Sequence, residues 1–134
     1  MRVSRLFTDQ NESPYDSIEF RHTASEIRNP DGSIVFHLDN IEVPAKWSQV
    51  ACDVLAQKYF RKAGIPTKLK PVREKGIPSW LWRNVPDDEA LSDVPEGERS
   101  GGETSAKQVF DRLAGTWTYW AWKGGFFTME SDAK

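Results

Sequence analysis

Apolar and polar positions alternate with a period of two residues in the first third of the chain. Ile34, Phe36 and Leu38 fall on one side of an extended strand. The preceding NPDG, at residues 29–32, is typical of a type I turn, because proline fixes φ at the second position and glycine accepts a positive φ at the fourth. The pattern predicts a β-hairpin over residues 18–43 with one buried face.

Helical spacing replaces this alternation after Pro44. Apolar residues now recur three and four positions apart, as on a helix with one core-facing side. Gly64 offers a left-handed cap, and Pro66 cannot continue a helix. We expect a helix over residues 45–63 whose core face consists of Trp47, Val50, Ala51, Val54, Leu55 and Tyr59.

The two segments without a clear period are residues 1–17 and 66–102. The first is polar, and we expect an irregular or partly ordered lead-in. The second holds five of the eight prolines, which predicts a long connection with short turns. Within it, Trp80-Leu81-Trp82 is expected to attach the connection to the rest of the molecule, and residues 87–91 to form one brief helical turn.

The strongest helical pattern lies near the end of the chain. It predicts an aromatic helix over residues 104–123, with Thr104 as the N-cap and Gly124-Gly125 ending it. Residues 128–134 resemble the start of a further helix. At about 100° per residue, one face of the aromatic helix carries an apolar row, and Tyr119 and Trp122 fall on the opposite side. The row consists of Ala106, Val109, Phe110, Leu113, Ala114, Trp117, Trp120 and Ala121.

A helix that is apolar on all sides is a buried helix, and the remaining sequence is too polar to surround it. We therefore predict that Trp117 and Trp120 belong to the core of this segment. Tyr119 and Trp122 are predicted to point toward a larger body that lies outside these residues.

Composition and charge exclude few classes of function. A net charge of −2 and the absence of a block of basic residues give no support to nucleic-acid binding. No apolar run approaches the roughly 18 residues of a membrane-spanning helix, and the single cysteine excludes an internal disulfide. These features predict a cytoplasmic protein that contacts no membrane.

Individual residues that could carry chemistry have simpler structural interpretations. His22 and His37 could face one another across the hairpin and hold a metal, but solvent-facing strand positions are the simpler explanation. Cys52 could be a nucleophile, or a small buried or half-buried thiol inside the helix. The glycines at 101–102 and 124–125 lack the spacing of a phosphate-binding loop and are interpreted as helix caps.

The tryptophans, together with Tyr59 to Lys62, could also form a stacking platform for bases or sugars. The helical spacing of Trp117 and Trp120 favours a packed core instead. From the residues alone we predict an α+β segment with a helix that a partner covers, and we assign no catalytic, cofactor-binding or metal-binding residue.

Several long strings in the same order resemble the N-terminal region of bacterial adenosylcobalamin-dependent (class II) ribonucleotide reductases. The resemblance covers nearly the whole chain and is carried by SPYDSIEFR, SEIRNPDGSIVF, IEVPAKWSQVACDVLAQKYFRKAGIP, IPSWLWR and GGETSAKQVFDRLAGTWTYWAWKGG. It implies an enzyme that reduces ribonucleotides, with diphosphates as the expected substrates, to deoxyribonucleotides. The implied chemistry is homolysis of the cobalt–carbon bond of adenosylcobalamin, which generates a thiyl radical.

That chemistry requires a radical cysteine and a redox-active pair, whereas this chain has only Cys52. The resemblance therefore implies that the catalytic cysteines and the adenosylcobalamin site lie in a downstream barrel of the same polypeptide, which would also bind the ribonucleotide and a thiol reductant. Residues 18–134 would be an N-terminal domain, mainly helical with an N-terminal hairpin, that packs on this barrel and is inactive alone. The alternatives are a free-standing module that docks its aromatic helix on a partner, and an aromatic nucleotide or single-strand binder.

Overall fold

The computed structural model describes all residues from 1 to 134 and has an α+β fold with an N-terminal antiparallel hairpin, which confirms the predicted class. Single turns of 3-10 helix lie at Ser79–Leu81 and Glu96–Glu98. None of the helices is both long enough and apolar enough to span a membrane. The regular elements are β1 (Phe20–Arg28), β2 (Ile34–Pro44), α1 (Gln49–Val54) with a following π-helical turn (Leu55–Tyr59), β3 (Ile65–Pro66), β4 (Leu69–Pro71), β5 (Asn84–Pro86), α2 (Asp88–Ser92), β6 (Ser100–Gly101), α3 (Ala106–Lys123) and α4 (Glu130–Ala133).

The chain divides into two compact units. The hairpin unit comprises residues 5–60 and 103–111, and the connection unit comprises residues 1–4, 61–102 and 112–134. The helix α3 therefore contributes its first residues to the hairpin unit and the remainder to the connection unit.

The hairpin has an irregular register that keeps Leu38 and Ile41 on one face. Leu38 lies opposite Ser25 and Ile41 lies opposite Thr23, so the two apolar side chains share a face although their spacing in sequence is odd. The one extra residue of β2 forms a bulge, in which Asn40 takes a positive φ of 55°, a conformation that asparagine tolerates. The bulge places Ile41 and Val43, both fully buried, in the core.

A second register shift near the turn changes the position of Ile34. Ile27 lies opposite Phe36, but Arg28 lies opposite Ile34, so one residue of β2 is unpaired and the alternation of faces is interrupted. Ile34 consequently does not share the face of Phe36 and Leu38 as predicted, and it is 52% exposed. The turn itself is as predicted, with Gly32 at a φ of 85°.

The helix expected over residues 45–63 is shorter, because residues 45–48 form turns and Ser48 is the N-cap of α1. The helix ends in the π-helical turn, and Phe60 is already extended. The buried side chains are Cys52, Leu55, Ala56 and Phe60. The predicted core face is wrong for Trp47, Val50, Val54 and Tyr59, which are exposed.

The start of α3 completes the core of the hairpin unit with Ala106 and Val109, both buried. The cap is Ser105 rather than the predicted Thr104. The Ser105 hydroxyl accepts a hydrogen bond from the Lys107 amide at 3.2 Å, and the Gln108 side chain accepts one from the Ser105 amide at 3.0 Å. The Gln108 bond is the reciprocal half of a capping box, whereas the Ser105 hydroxyl caps the second amide of the helix rather than the third.

Two very short antiparallel pairs, β3 with β6 and β4 with β5, form the frame of the connection unit. The short helix α2 occurs where a brief helical turn was predicted, and the Asp87 side chain caps it. Few apolar side chains are buried in this unit: Ile77, Leu81 and Leu91. Of the predicted attachment Trp80-Leu81-Trp82, Trp80 reaches another segment through its hydrogen bond to Glu130, Leu81 is buried, and Trp82 bonds to Ile77 within the connection.

The two glycine pairs have different roles. Gly124-Gly125 ends α3 as predicted: the Gly125 amide donates to the Trp122 carbonyl and the Phe126 amide to the Ala121 carbonyl, with Gly125 at a φ of 69°. Gly101, in contrast, belongs to β6 and caps no helix. A Cβ atom at Gly102 would lie 2.8 Å from the Lys62 carbonyl oxygen, so this glycine permits a close approach of backbones.

The last helix, α4, lies where the start of a further helix was predicted. The Asp132 carboxylate accepts hydrogen bonds from the Met129 amide at 2.9 Å and from the Val3 amide at 3.1 Å. The N-terminal ammonium of Met1 also donates to the Thr128 hydroxyl at 3.2 Å. The first residues of the lead-in are therefore fixed to the last helix of the connection unit.

Candidate functional site

In the connection unit, the two sides of α3 have opposite environments. One side faces the loop after β4 through Tyr119, whose hydroxyl donates to the two Glu74 carboxylate oxygens at 2.9 and 2.7 Å. Lys123 donates to the same carboxylate at 2.9 Å, and the Arg83 guanidinium lies 3.4 Å from it. Glu74 thus joins the helix to the loop.

Tryptophan side chains complete this contact. The Trp122 indole donates to the Gly76 carbonyl at 2.8 Å, and the Trp82 indole donates to the Ile77 carbonyl at 2.9 Å. Trp80 packs edge-on against Trp122, with ring centroids 6.4 Å apart, and donates to Glu130 at 2.8 Å. Each indole combines apolar contact with a satisfied N–H group, as half-buried tryptophans usually do.

The other side of α3 is exposed. Trp117 and Trp120, one helical turn apart, are 62% and 64% exposed, and Phe126 beyond the helix end is 61% exposed. The Phe126 ring lies beside Gly124, where a Cβ atom would be only 2.6 Å from it. We call Trp117, Trp120 and Phe126 the exposed aromatic face.

This arrangement reverses the predicted roles of the four aromatic residues. Trp117 and Trp120 were expected in the core and are exposed, whereas Tyr119 and Trp122 were expected to face outward and are half-buried within this chain. The physical reason is that Glu74 and the Gly76 carbonyl supply acceptors for the Tyr119 and Trp122 donors. Helical periodicity counts both residues as apolar and contains no information on acceptors more than 40 residues away.

The charges around Glu74 stabilise its ionised form. The hydrogen bond from Tyr119, together with that from Lys123, holds the pKa of Glu74 below its usual value. The same carboxylate raises the pKa of Lys123. Glu74 is therefore a satisfied structural carboxylate rather than a free general base. The loop beside it, with Arg73 and Lys75, borders an open concavity of about 640 Å³.

The hairpin unit has a smaller, mainly apolar concavity of about 330 Å³. Trp47 and Phe110 form two of its walls, with ring centroids 5.9 Å apart in an edge-to-face arrangement. Ile18 and Pro44 add apolar surface, and its charged residues are Glu19 and Lys46. Ser17 also lines it, but no hydrogen bond joins its hydroxyl to Glu19 or Lys46, so the lining shows no activated nucleophile and suits an apolar side chain better than a reaction.

Lys107 joins a second polar network in the hairpin unit. Its ammonium group lies 2.9 Å from Glu42 and 4.2 Å from the centroid of the Phe20 ring. The Tyr15 hydroxyl donates to Asp111 at 2.6 Å, and burial together with this carboxylate raises the pKa of Tyr15. Both interactions hold the start of α3 against the lead-in and the hairpin, and neither leaves a reactive group free.

The two histidines do not form a metal site. His22 lies opposite Glu42 in the hairpin, whereas His37 lies opposite Glu26, so the histidines do not face one another. His37 is bracketed by Glu26 at 3.1 Å and Asp39 at 2.8 Å on an exposed surface, and Asp39 above all raises its pKa. No group of three or more potential metal ligands occurs in the structure.

Cys52 is a buried thiol. The Arg21 guanidinium lies 3.7 Å from its sulfur and also donates to the carbonyls of Ala45 and Trp47. Burial raises the pKa of Cys52 in spite of this cation, which disfavours the reactive thiolate. Phe60, one of the residues of the possible stacking platform, is buried as well.

The chain is similar to several curated proteins that share one name. Over all 134 residues the chain is 66% identical to a vitamin B12-dependent ribonucleotide reductase of Bradyrhizobium diazoefficiens, of which the match covers 11%. It is 62% identical over 133 residues to the enzyme of the same name from Agrobacterium fabrum, covering 99% of this chain and 10% of that protein. A Streptomyces avermitilis protein of the same name is 33% identical over 76 residues, 55% of this chain and 8% of that protein.

The chain thus spans about a tenth of the length of the curated relatives it matches. The family model described as class II vitamin B12-dependent ribonucleotide reductase matches residues 21–134. The matches support the resemblance seen in the sequence and not the free-standing interaction module. The chain belongs to the class II vitamin B12-dependent ribonucleotide reductase family and corresponds to its N-terminal region.

Proposed function

We propose that these residues are the N-terminal structural segment of an adenosylcobalamin-dependent ribonucleotide reductase. The whole enzyme would reduce ribonucleotides, specifically diphosphates, to deoxyribonucleotides with electrons from a thiol reductant. The observation that carries the proposal is the match of the entire chain, at 66% identity, to about a tenth of a reductase.

The chemistry of the side chains supports a structural role. Reduction of a ribonucleotide by a cysteine pair requires two thiols, and this chain has one. Cys52 is buried, and its raised pKa disfavours the thiolate. We propose that the radical cysteine, the redox pair and the substrate site lie in a downstream catalytic domain of the same polypeptide, and that residues 1–134 alone are inactive.

The residues described here do not fit a bound corrin. His37 is occupied by two carboxylates, and His22 is exposed on β1 and lines neither concavity. The apolar concavity of about 330 Å³ is at the lower limit of pockets for drug-sized ligands, and a corrin is larger than these. The open concavity of about 640 Å³ is lined mainly by the charged loop at residues 73–75 and has no histidine. The cobalamin site is therefore proposed in the remainder of the polypeptide, and the cytoplasm, where a lone thiol stays reduced, as the compartment.

The experiment compares three proteins: the complete polypeptide that contains this sequence, the same polypeptide without residues 1–134, and the 134-residue chain. Adenosylcobalamin-dependent reduction of a ribonucleoside diphosphate is measured, with the triphosphate as a second substrate. We expect activity in the complete protein, none in the 134-residue chain, and at least a tenfold loss in the truncated protein. Reductase activity of the 134-residue chain would contradict the proposal.

A Cys52→Ser variant of the complete polypeptide is the matched control. Because the thiol is assigned no part in the reaction, kcat/KM should remain within about twofold of the wild type. A loss of activity in a variant that unfolds at the wild-type temperature would show that Cys52 takes part in the chemistry.

A further inference from the structure

The exposed aromatic face has the composition of a contact surface. Trp117, Trp120 and Phe126 are each more than 60% exposed. Aromatic side chains bury about 150–250 Å² each, so the three present roughly 300–450 Å² of ring surface. Exposed apolar areas of this size often mark functional surfaces, and tryptophan is enriched at the centres of interfaces.

The face cannot be buried by a rotation of α3. On the opposite side of the helix, Tyr119 and Lys123 hold Glu74, and Trp122 holds the Gly76 carbonyl. A rotation that buried Trp117 would break these hydrogen bonds and leave their partners unsatisfied. The exposed position of the face is therefore fixed by the contacts of the other side.

The end of the helix also fixes Phe126. The Gly124 position has no Cβ, and the Phe126 ring occupies the space where one would lie. The Phe126 amide donates to the Ala121 carbonyl at 3.0 Å. Phe126 is thereby held next to the last turn of α3, near the Trp120 carbonyl oxygen, which lies 3.3 Å from the same Cβ position. A ring held in place loses less conformational freedom on binding.

The area of the face argues against a second copy of the chain as its occupant. A stable interface between separate proteins buries about 800 Å² on each partner, roughly twice the ring surface available here. Segments of one polypeptide meet at a high effective concentration, so a smaller surface suffices between them. The chain matches only 11% of a longer relative, and nearly nine tenths of that protein lies outside the matched part. A polypeptide of that length contains such a segment.

We propose that the exposed aromatic face is the surface on which the downstream part of the same polypeptide packs. The proposal rests on the proposed function and names the contact through which the segment would act. Trp117, Trp120 and Phe126 form this contact, and Tyr119 and Trp122 serve to hold α3 in position for it.

The test is residue-resolved chemical modification of tryptophan, followed by mass spectrometry, in the complete polypeptide and in the 134-residue chain. If the face is covered, Trp117 and Trp120 react at least tenfold more slowly in the complete polypeptide. Equal rates in both proteins would overturn the proposal. If that complete polypeptide still reduces ribonucleotides, the proposed function stands and only the assigned surface is wrong.

A double variant, Trp117→Gln with Trp120→Gln, gives an independent readout. Glutamine keeps a good helix propensity, and circular dichroism of the variant 134-residue chain checks that α3 still forms. In the complete polypeptide we expect proteolytic release of the N-terminal segment to be at least tenfold faster. The matched control is Val35→Gln, a side chain that is 60% exposed on the hairpin, for which the rate should not change.

Two further results would show that the exposed aromatic face has a different occupant or none. Concentration-dependent dimerisation of the 134-residue chain that the double variant abolishes would identify a second copy and overturn the proposal. An intact mass of the native protein that corresponds to 134 residues would remove the partner altogether, and with it both this proposal and the proposed function.

Discussion

The hairpin unit and the connection unit use different interactions to hold their elements. In the hairpin unit, Ile41, Val43, Cys52 and Val109 are completely or almost completely buried. In the connection unit, hydrogen bonds from Trp80, Trp82, Trp122 and Tyr119 fix the loops to the helices. The difference shows that the density of aromatic residues does not locate the core. On α3, Trp122, which has an acceptor within reach, is half-buried, whereas Trp117 and Trp120 are exposed.

The largest effect is expected in the core of the hairpin unit. Ile41→Ala removes a fully buried side chain and should lower the free energy of unfolding by about 2–5 kcal/mol, because it creates a cavity beside Val43. Urea denaturation of the 134-residue chain measures the change. The control is Ile34→Ala, at an exposed position of the same strand, with an expected change of less than about 0.5 kcal/mol. Similar losses for both would contradict the register with two bulges.

The next prediction tests the two sides of α3 directly. Trp122→Ala removes a half-buried ring and leaves the Gly76 carbonyl without its donor, and should cost about 2 kcal/mol. Trp117→Ala should change the free energy of unfolding of the same chain by less than about 0.5 kcal/mol, since its ring is exposed. Thermal or urea denaturation of both variants measures the two changes in the free energy of unfolding. A larger loss for Trp117→Ala than for Trp122→Ala would instead support a core position for Trp117, as helical periodicity predicts.

A smaller effect is expected where two backbones approach closely in the connection unit. Gly102→Ala would place a methyl group 2.8 Å from the Lys62 carbonyl oxygen, and neither backbone can move freely. We expect a loss of about 1–2 kcal/mol in the free energy of unfolding. Gly97→Ala, where a Cβ meets nothing within 4 Å, serves as the control and should change it little. Equal behaviour of the two variants would mean that Lys62 and Gly102 are not in close contact.

The smallest effect concerns pH. The pKa of Glu74 is lowered in the folded chain from its usual value of 4.5, so its contribution is present above that value and is lost as the pH falls through the folded pKa. Glu74→Gln should therefore flatten the decline of stability on the acid side. The free energy of unfolding, measured from about pH 2 to pH 7, tests this against Glu12→Gln, a lead-in control. If the free energy of unfolding of Glu74→Gln falls with decreasing pH as steeply as that of the wild-type chain, a stabilising role for this carboxylate is excluded.

The sequence predicts those features of the fold that depend on neighbouring residues. The turn at residues 29–32, the end of α3 at Gly124-Gly125 and the short α2 depend on local chemistry, and all three are present. The buried face of the hairpin depends on a bulge at Asn40, which alternation alone does not contain. The family, in contrast, could be recognised from long strings in order, because a resemblance requires no knowledge of side-chain contacts.

The orientation of α3 could not be predicted for a different reason. The orientation depends on Glu74 and the Gly76 carbonyl, which are distant in sequence from Tyr119 and Trp122. A local indication is the polar tips of Tyr119 and Trp122, since each side chain carries a donor that needs an acceptor when it packs.

The central claim is that α3 presents Trp117 and Trp120 to the remainder of a reductase polypeptide. A structure of that complete polypeptide, determined by cryo-electron microscopy, tests it most directly. We expect apolar side chains from outside residues 1–134 within about 4.5 Å of both indole rings. Both rings facing solvent, with the downstream part of the chain packed elsewhere, would contradict it.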